Sequence, residues 1–103
     1  MAIATSNTVS VASVAATDWV KMRTGINRIY VSCATWGTTS VAYQLSHDAD
    51  TAYPLESPIG TALTTTTNRC FDVSGPGYVR LNCTAYDANA VTLKVLNPID
   101  DRL

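Results

Sequence analysis

The sequence is poor in charge and lacks the patterns that nucleic-acid-binding and membrane-spanning chains carry. Asp, Glu, Lys and Arg make up 15% of the 103 residues, against about 25% in a typical soluble domain. The net charge is −1 and the basic residues are scattered, so no basic block can follow a phosphate backbone. No apolar run approaches the ~18 residues of a membrane-spanning helix. We therefore expect neither nucleic acid nor a membrane as a partner.

A secretion signal is also missing, because residues 1–7 contain neither a basic region nor an apolar run. We expect the chain to fold in a cytosol. The three cysteines show no metal-type spacing, and strand alternation places Cys33 and Cys83 on inward faces as small buried side chains. A disulfide between these two requires neighbouring strands and conflicts with folding in a cytosol.

Motifs for catalysis are absent from the sequence. It contains no nucleophile elbow, no phosphate-binding loop and no Cys-x-x-Cys pair. His47, Asp48 and Asp50 are close in sequence, but a calcium loop needs more oxygen ligands and a glycine at a fixed position. Ser46, His47 and Asp48 are adjacent in the sequence, so they cannot face one another as a catalytic triad. We interpret them as a solvated turn and predict a non-enzymatic protein without metal or cofactor.

Alternation of apolar and polar residues is what the sequence does have. In the segment from Gly75 to Asn82, Val79 and Leu81 face one side of a strand while Tyr78 and Arg80 face the other. The same alternation recurs along most of the chain, and no stretch has a helical period. A chain of this length forms one domain, residues 1–103. We predict an all-β, antiparallel, jelly-roll-like β-sandwich with eight or nine strands, at spacings of ~8–12 residues.

Turn residues divide the chain into strands, with sharp turns expected at 25–27 and 74–77. Residues 1–7 and 98–103 lack periodicity and are interpreted as an N-terminal arm and a C-terminal tail. The predicted strands are 8–14, 19–22, 28–35, 39–46, 52–56, 61–67, 69–74, 78–85 and 90–96. The predicted core comprises Ile29, Val31, Val41, Tyr43, Leu45, Phe71, Val79, Leu81, Leu93 and Val95.

Four short elements also follow one another in a particular order. Thr35-Trp36-Gly37 ends one strand, Ser46 to Asp48 ends the next, Tyr53 follows, and the strand from Gly77 to Asn82 comes late. This order, over roughly residues 28 to 97, resembles that of small virion proteins of tailed bacteriophages. The family usually has glycine after the aspartate and tryptophan near the position of Tyr53.

The resemblance implies a structural virion protein that decorates or cements a capsid. Its expected partner is the major capsid protein or another virion protein, with self-association into a homo-oligomer, and its expected location is the virion after assembly in the host cytoplasm. The Ser-x-Asp and Tyr-Val-Arg-Leu elements also look like those of sugar-binding jelly-roll modules. The alternative is therefore a carbohydrate- or receptor-binding module of a phage head or tail.

Partner contacts are expected at the arms and the loop tips, which a sandwich leaves exposed at its ends. Trp36, at a hairpin tip, either packs under the sheet, meets a partner protein or stacks on a sugar ring. Arg80, on an outward face, either pairs with Asp72 or meets an acidic partner. The predicted partner-binding residues are Ala2, Ile3, Thr5, Trp36, Arg80, Ile99, Arg102 and Leu103.

Overall fold

The computed structural model of the chain describes residues 3–55 and 63–97 and confirms the all-β class. All strand pairings are antiparallel, and no membrane-crossing helix occurs in the described ranges. The strands are β1 (Thr8–Val11), β2 (Val20–Cys33), β3 (Ser40–Ser46), β4 (Tyr53–Pro54), β5 (Thr64–Thr65), β6 (Arg69–Ala85) and β7 (Val91–Leu96).

The strands form one continuous sheet rather than the two that the sequence predicted. Its order is β1-β7-β2-β6-β3-β4, and β5 also pairs with β3. The second half of β2 pairs with β7, and the second half of β6 pairs with β3. Since β2 and β6 also pair with each other along most of their length, they connect the two halves of the sheet. The halves enclose the core in a sandwich-like arrangement, and the jelly-roll connection stays a prediction.

The two sharp turns predicted at 25–27 and 74–77 are wrong, because β2 and β6 continue through them as bent strands. At the bend β2 places two residues, Arg23 and Thr24, opposite the single Pro76. This is a β-bulge, which bends and twists a ladder without ending it. Proline has no N–H to donate to a ladder, so the bulge lies where one hydrogen bond is already missing. The four strands predicted at 19–22, 28–35, 69–74 and 78–85 are therefore two long strands, β2 and β6. The described residues thus contain seven strands, where nine segments were predicted.

The buried side chain of Asn27 closes the bulge. Its Oδ1 accepts from the Arg23 N–H at 3.0 Å, and its Nδ2 donates to the carbonyls of Arg23 at 2.8 Å and Gly25 at 3.2 Å. The amide of Asn97 adds a long contact of 3.5 Å to the Thr24 carbonyl. Side-chain amides therefore replace the backbone bonds that the bulge removes from the ladder.

The predicted core is confirmed. Eight of its ten side chains are fully buried in one cluster, and Leu45 and Phe71 are partly buried against that cluster. The rings of Tyr43 and Phe71, from opposite halves of the sheet, meet edge to face with centroids 4.8 Å apart. Cys33 and Cys83 are buried as expected, and both are free thiols, so the alternative of a disulfide is wrong.

The N-terminal segment is less of an arm than the sequence suggested. The Ala4 N–H donates to the Trp19 carbonyl at 2.8 Å, and the Asn7 carbonyl accepts from Val95 N–H at 2.9 Å. Ile3 also forms an isolated parallel bridge with Trp19. Residues 3–7 thus lie along the sheet, because backbone bonds need no apolar alternation to form.

Candidate functional site

The structure places the predicted binding residues in separate regions of the molecule. Ile3 and Thr5 lie in the N-terminal segment, Trp36 lies in the loop after β2, and Arg80 lies in the second half of β6. The remaining four, Ala2, Ile99, Arg102 and Leu103, fall outside the described residues. No single site emerges from these residues.

Trp36 packs against the core, the first of its three predicted alternatives. Its Nε1 donates to Asn68 Oδ1 at 2.8 Å, and the same oxygen accepts from the Cys33 N–H at 3.1 Å. The ring is half-buried against the core cluster. Asn68 therefore holds the indole against the end of the sheet.

Arg80 does not pair with Asp72, and it is not exposed. Only 9% of Arg80 is accessible, its Nε donates to Gln44 Oε1 at 2.7 Å, and its guanidinium lies 4.3 Å from the centroid of the Trp19 ring. Burial lowers the pKa of Arg80. Asp72 instead pairs with Arg28 at 3.0 Å. Strand alternation placed Arg80 on the outward face correctly, but it could not show that Trp19 lies beside it as a flat partner for the guanidinium.

A cavity of about 370 Å³ lies beside the N-terminal segment. Thr5 and Ser6 of that segment line it together with Lys21, Arg23 and Asn27 of β2. Apolar groups contribute about as much to the lining as these polar and cationic groups do. The polar part suits a polar or anionic group of a partner.

A second cavity, of about 280 Å³, lies where β2, β3 and β6 end or bend. Lys21, His47 and Tyr78 line part of it. The rings of His47 and Tyr53 are tilted by 36° with centroids 5.8 Å apart, and 49% of Tyr53 is exposed. This pair of rings is the most exposed aromatic group in the described residues, a feature typical of carbohydrate contacts and protein interfaces alike.

Asp48 organises the turn after β3, as its sequence position predicted. Its Oδ1 accepts from the Ser46 hydroxyl at 2.8 Å and from the N–H groups of Asp50 and Thr51, each at 2.9 Å. Hydrogen bonds to the ionised form, above all from the Thr51 N–H, lower the pKa of Asp48 well below its usual range. Ala49 takes a φ of +59°, a conformation that glycine adopts more readily. The second oxygen, Oδ2, accepts from the Thr51 hydroxyl at 3.4 Å, so both oxygens of the aspartate help to close the turn.

We expect Asp48→Asn to lower the melting temperature near pH 7, because the neutral amide replaces the anion that these donors bind. The folded pKa of Asp48 lies below its unfolded value of about 3.9, so its contribution is complete above that value and declines as the pH falls below it. The melting temperatures of the parent and variant should therefore approach each other as the pH falls from about 4 toward 2.

The control for this titration is Asp50→Asn, since no described residue donates to the Asp50 carboxylate. Thermal melts followed by circular dichroism at several pH values compare the three proteins. A difference between parent and Asp48→Asn that stayed constant down to pH 2 would contradict a role for the charge.

Metal-ligating residues do not converge in the described part of the chain, where no three His, Cys, Asp or Glu side chains are placed to hold an ion. His47 contacts one carboxylate, with its Nε2 3.7 Å from Asp48 Oδ2. That carboxylate is already bound within the turn. The geometry of the described residues therefore gives no specific support to metal-dependent chemistry.

The sequence analysis missed an open groove of about 540 Å³ on the outer face of β7, β2 and β6. Tyr30 is central, directly opposite Lys94 of β7 and Cys70 of β6. Alternation alone predicted that Tyr30 and Lys94 point outward. Their convergence depends on β7 pairing with β2, a pairing between distant segments that no local pattern reveals.

A further feature is an uncharged edge at the start of the chain. No ionisable side chain precedes Asp18 in the sequence. Most residues from Ile3 to Ala16 are exposed, with Val14 66% and Ile3 48% accessible. We call residues 3–16 the N-terminal edge. It combines hydroxyls, methyls and two exposed aliphatic side chains.

Comparisons with known proteins find no match: no family model fits the chain, and no curated protein and no solved structure is similar to it.

Proposed function

We propose that the chain is a non-enzymatic structural protein of a bacteriophage virion that binds the capsid shell and stabilises it. Its partner is the major capsid protein or another virion protein, and copies of the chain associate with one another on the shell. The order of turn and strand elements along residues 28–97 supports the proposal, as does a small all-β domain of low charge.

The N-terminal edge is the observation that carries this proposal. Burying a charged group at an interface costs several kcal/mol unless the group is paired, and this edge has no charge to bury. Its exposed aliphatic residues, Ile3 and Val14, gain from losing contact with water. A surface of this composition suits close packing against another protein.

We expect Val14→Asp to weaken binding to the shell by about tenfold or more, because a carboxylate at the interface loses its hydration. The fold should persist, since Val14 is exposed and lies outside the strands. The measurement is cosedimentation of the full chain with particles assembled from the major capsid protein of the same virus.

The matched control is Leu63→Asp, which places the same charge at an exposed aliphatic residue just before β5. It should bind like the parent. Failure of the parent chain to bind such particles would overturn the proposed function. Equal binding by the parent and Val14→Asp would remove the N-terminal edge from it.

A carbohydrate- or receptor-binding module is the second candidate. The exposed Tyr53 ring favours it, because this ring lies beside His47, which lines the 280 Å³ cavity. A glycan array separates the two functions, because saturable sugar binding that Tyr53→Ala abolishes fits this module and has no place in capsid decoration.

A further inference from the structure

The outer face of the first half of the sheet is an uncovered surface formed by three adjacent strands. Tyr30 lies at its centre, between Lys94 and Cys70, and its ring is partly exposed. We call this surface the Tyr30 face. It comprises Thr92, Lys94 and Leu96 of β7, Arg28, Tyr30 and Ser32 of β2, Cys70 and Asp72 of β6, and Asn68 just before β6.

Charge on the Tyr30 face is not balanced. Arg28 and Asp72 neutralise each other through their ion pair at 3.0 Å. Lys94 lines the groove, and it has no carboxylate partner among the described residues. No carboxylate appears in the groove lining itself. A partner that brings a carboxylate to this groove therefore completes an ion pair.

The groove contains an apolar part beside Lys94. The Tyr30 ring, the Leu96 side chain and the Cys70 thiol contribute to its lining. Tyrosine at the centre of a surface is typical of protein interfaces, because its ring buries a large area with little loss of conformational freedom. The expected partner thus presents an apolar side chain next to its carboxylate.

The N-terminal edge is continuous with the Tyr30 face. Thr8 pairs directly with Lys94, and Ser10 pairs directly with Thr92, so β1 extends the same rows of side chains. A partner that covers the edge therefore reaches the groove without crossing a charged barrier. One unpaired cation on a chain of net charge −1 does not suffice to hold a phosphate polymer, which leaves a protein segment as the occupant.

We propose that the groove of the Tyr30 face binds an acidic, extended segment of the capsid protein, with a carboxylate of that segment paired to Lys94 and an apolar side chain packed on Tyr30. This inference rests on the proposed function and names the surface and the chemistry of the partner that the function requires.

The test measures binding of full-length variants to the same assembled particles at low and high salt. Lys94→Gln removes the cation and Tyr30→Ser removes the ring, and each should weaken binding by about tenfold. Lys94→Arg keeps the charge and should restore most of the affinity. Added salt should weaken binding of the parent chain more than binding of Lys94→Gln. Salt screens the ion pair that Lys94 forms with the partner, and the variant has no such pair to lose.

Two controls match these changes. Thr84→Glu lowers the net charge by one, as Lys94→Gln does, but on the second half of β6. Leu63→Ser removes an exposed apolar side chain next to β3, away from the Tyr30 face. Both should bind like the parent, and circular dichroism confirms that every variant is folded.

The outcomes separate this inference from the proposed function. If the parent chain does not bind the particles, both fail. If the parent binds and Val14→Asp does not, while Lys94→Gln and Tyr30→Ser bind normally, the function stands and the Tyr30 face has no part in it. Loss of binding in those two variants, with normal binding by both controls, supports the inference.

Discussion

Gly75→Ala should destabilise the fold by about 3–5 kcal/mol, because the bend of the sheet leaves no room for a methyl group there. A Cβ on Gly75 would collide with the carbonyl oxygen of Arg23 and lie 2.8 Å from Asn27 Nδ2. The Arg23 carbonyl accepts the hydrogen bond that Asn27 uses to close the bulge. Relief of the collision therefore requires a backbone shift and breaks a buried polar contact.

The control is Gly25→Ala, at the residue that pairs directly with Gly75 across the ladder. Gly25 has a φ of +99°, and no heavy atom lies within 4 Å of the place that a methyl carbon would take. Alanine at position 25 should lower the free energy of unfolding by about 1–2 kcal/mol, through backbone strain without a steric collision. Urea unfolding of both variants measures the difference. Equal losses, or a larger loss for Gly25→Ala, would contradict the steric argument.

The bend also shows where sequence reasoning stops. Gly25 and Pro76 were interpreted as turn residues, since both types interrupt ladders. Local sequence cannot show that these two segments are neighbours in the sheet. Pro76 lies opposite the bulge formed by Arg23 and Thr24, and Gly25 pairs with Gly75 directly beside that bulge, so both strands continue past it.

Alternation, in contrast, identified the core because it depends only on the two-residue period of a strand. Every predicted core position is buried or partly buried, from Ile29 in β2 to Val95 in β7. The two-residue period predicts on which face of a strand each side chain lies. It does not give which strands are neighbours, since pairing joins residues distant in sequence.

That limit explains the outcome for the candidate sites. Alternation placed Arg80 on the outward face. There its guanidinium lies over the Trp19 ring and its Nε donates to Gln44, and both of these residues come from other segments. Alternation also places Tyr30 and Lys94 on the outward face of their strands, but nothing in either segment indicates that the two residues are neighbours. The Asp48 turn was predictable because all of its hydrogen bonds lie within six consecutive residues. Local chemistry was thus predicted from sequence, while surfaces assembled from several strands needed the fold.

Leu81→Ala should cost roughly 2–5 kcal/mol, through lost burial and the cavity it leaves. Leu81 is completely buried in the second half of β6 and pairs directly with Tyr43 of β3. The segment before β2 also binds its backbone, since the Thr17 N–H donates to the Leu81 carbonyl at 2.9 Å. The site therefore has little freedom to collapse, which favours the upper part of the range.

The matched control is Leu63→Ala, because Leu63 is exposed and the same atoms are removed from a site that water already reaches. It should cost less than about 1 kcal/mol. For a domain of this size the Leu81→Ala loss corresponds to a melting temperature lower by roughly 8–20 °C. Thermal melts of both variants measure the difference. If Leu81→Ala melted within a few degrees of Leu63→Ala, Leu81 would not belong to the core that lies between the two halves of the sheet.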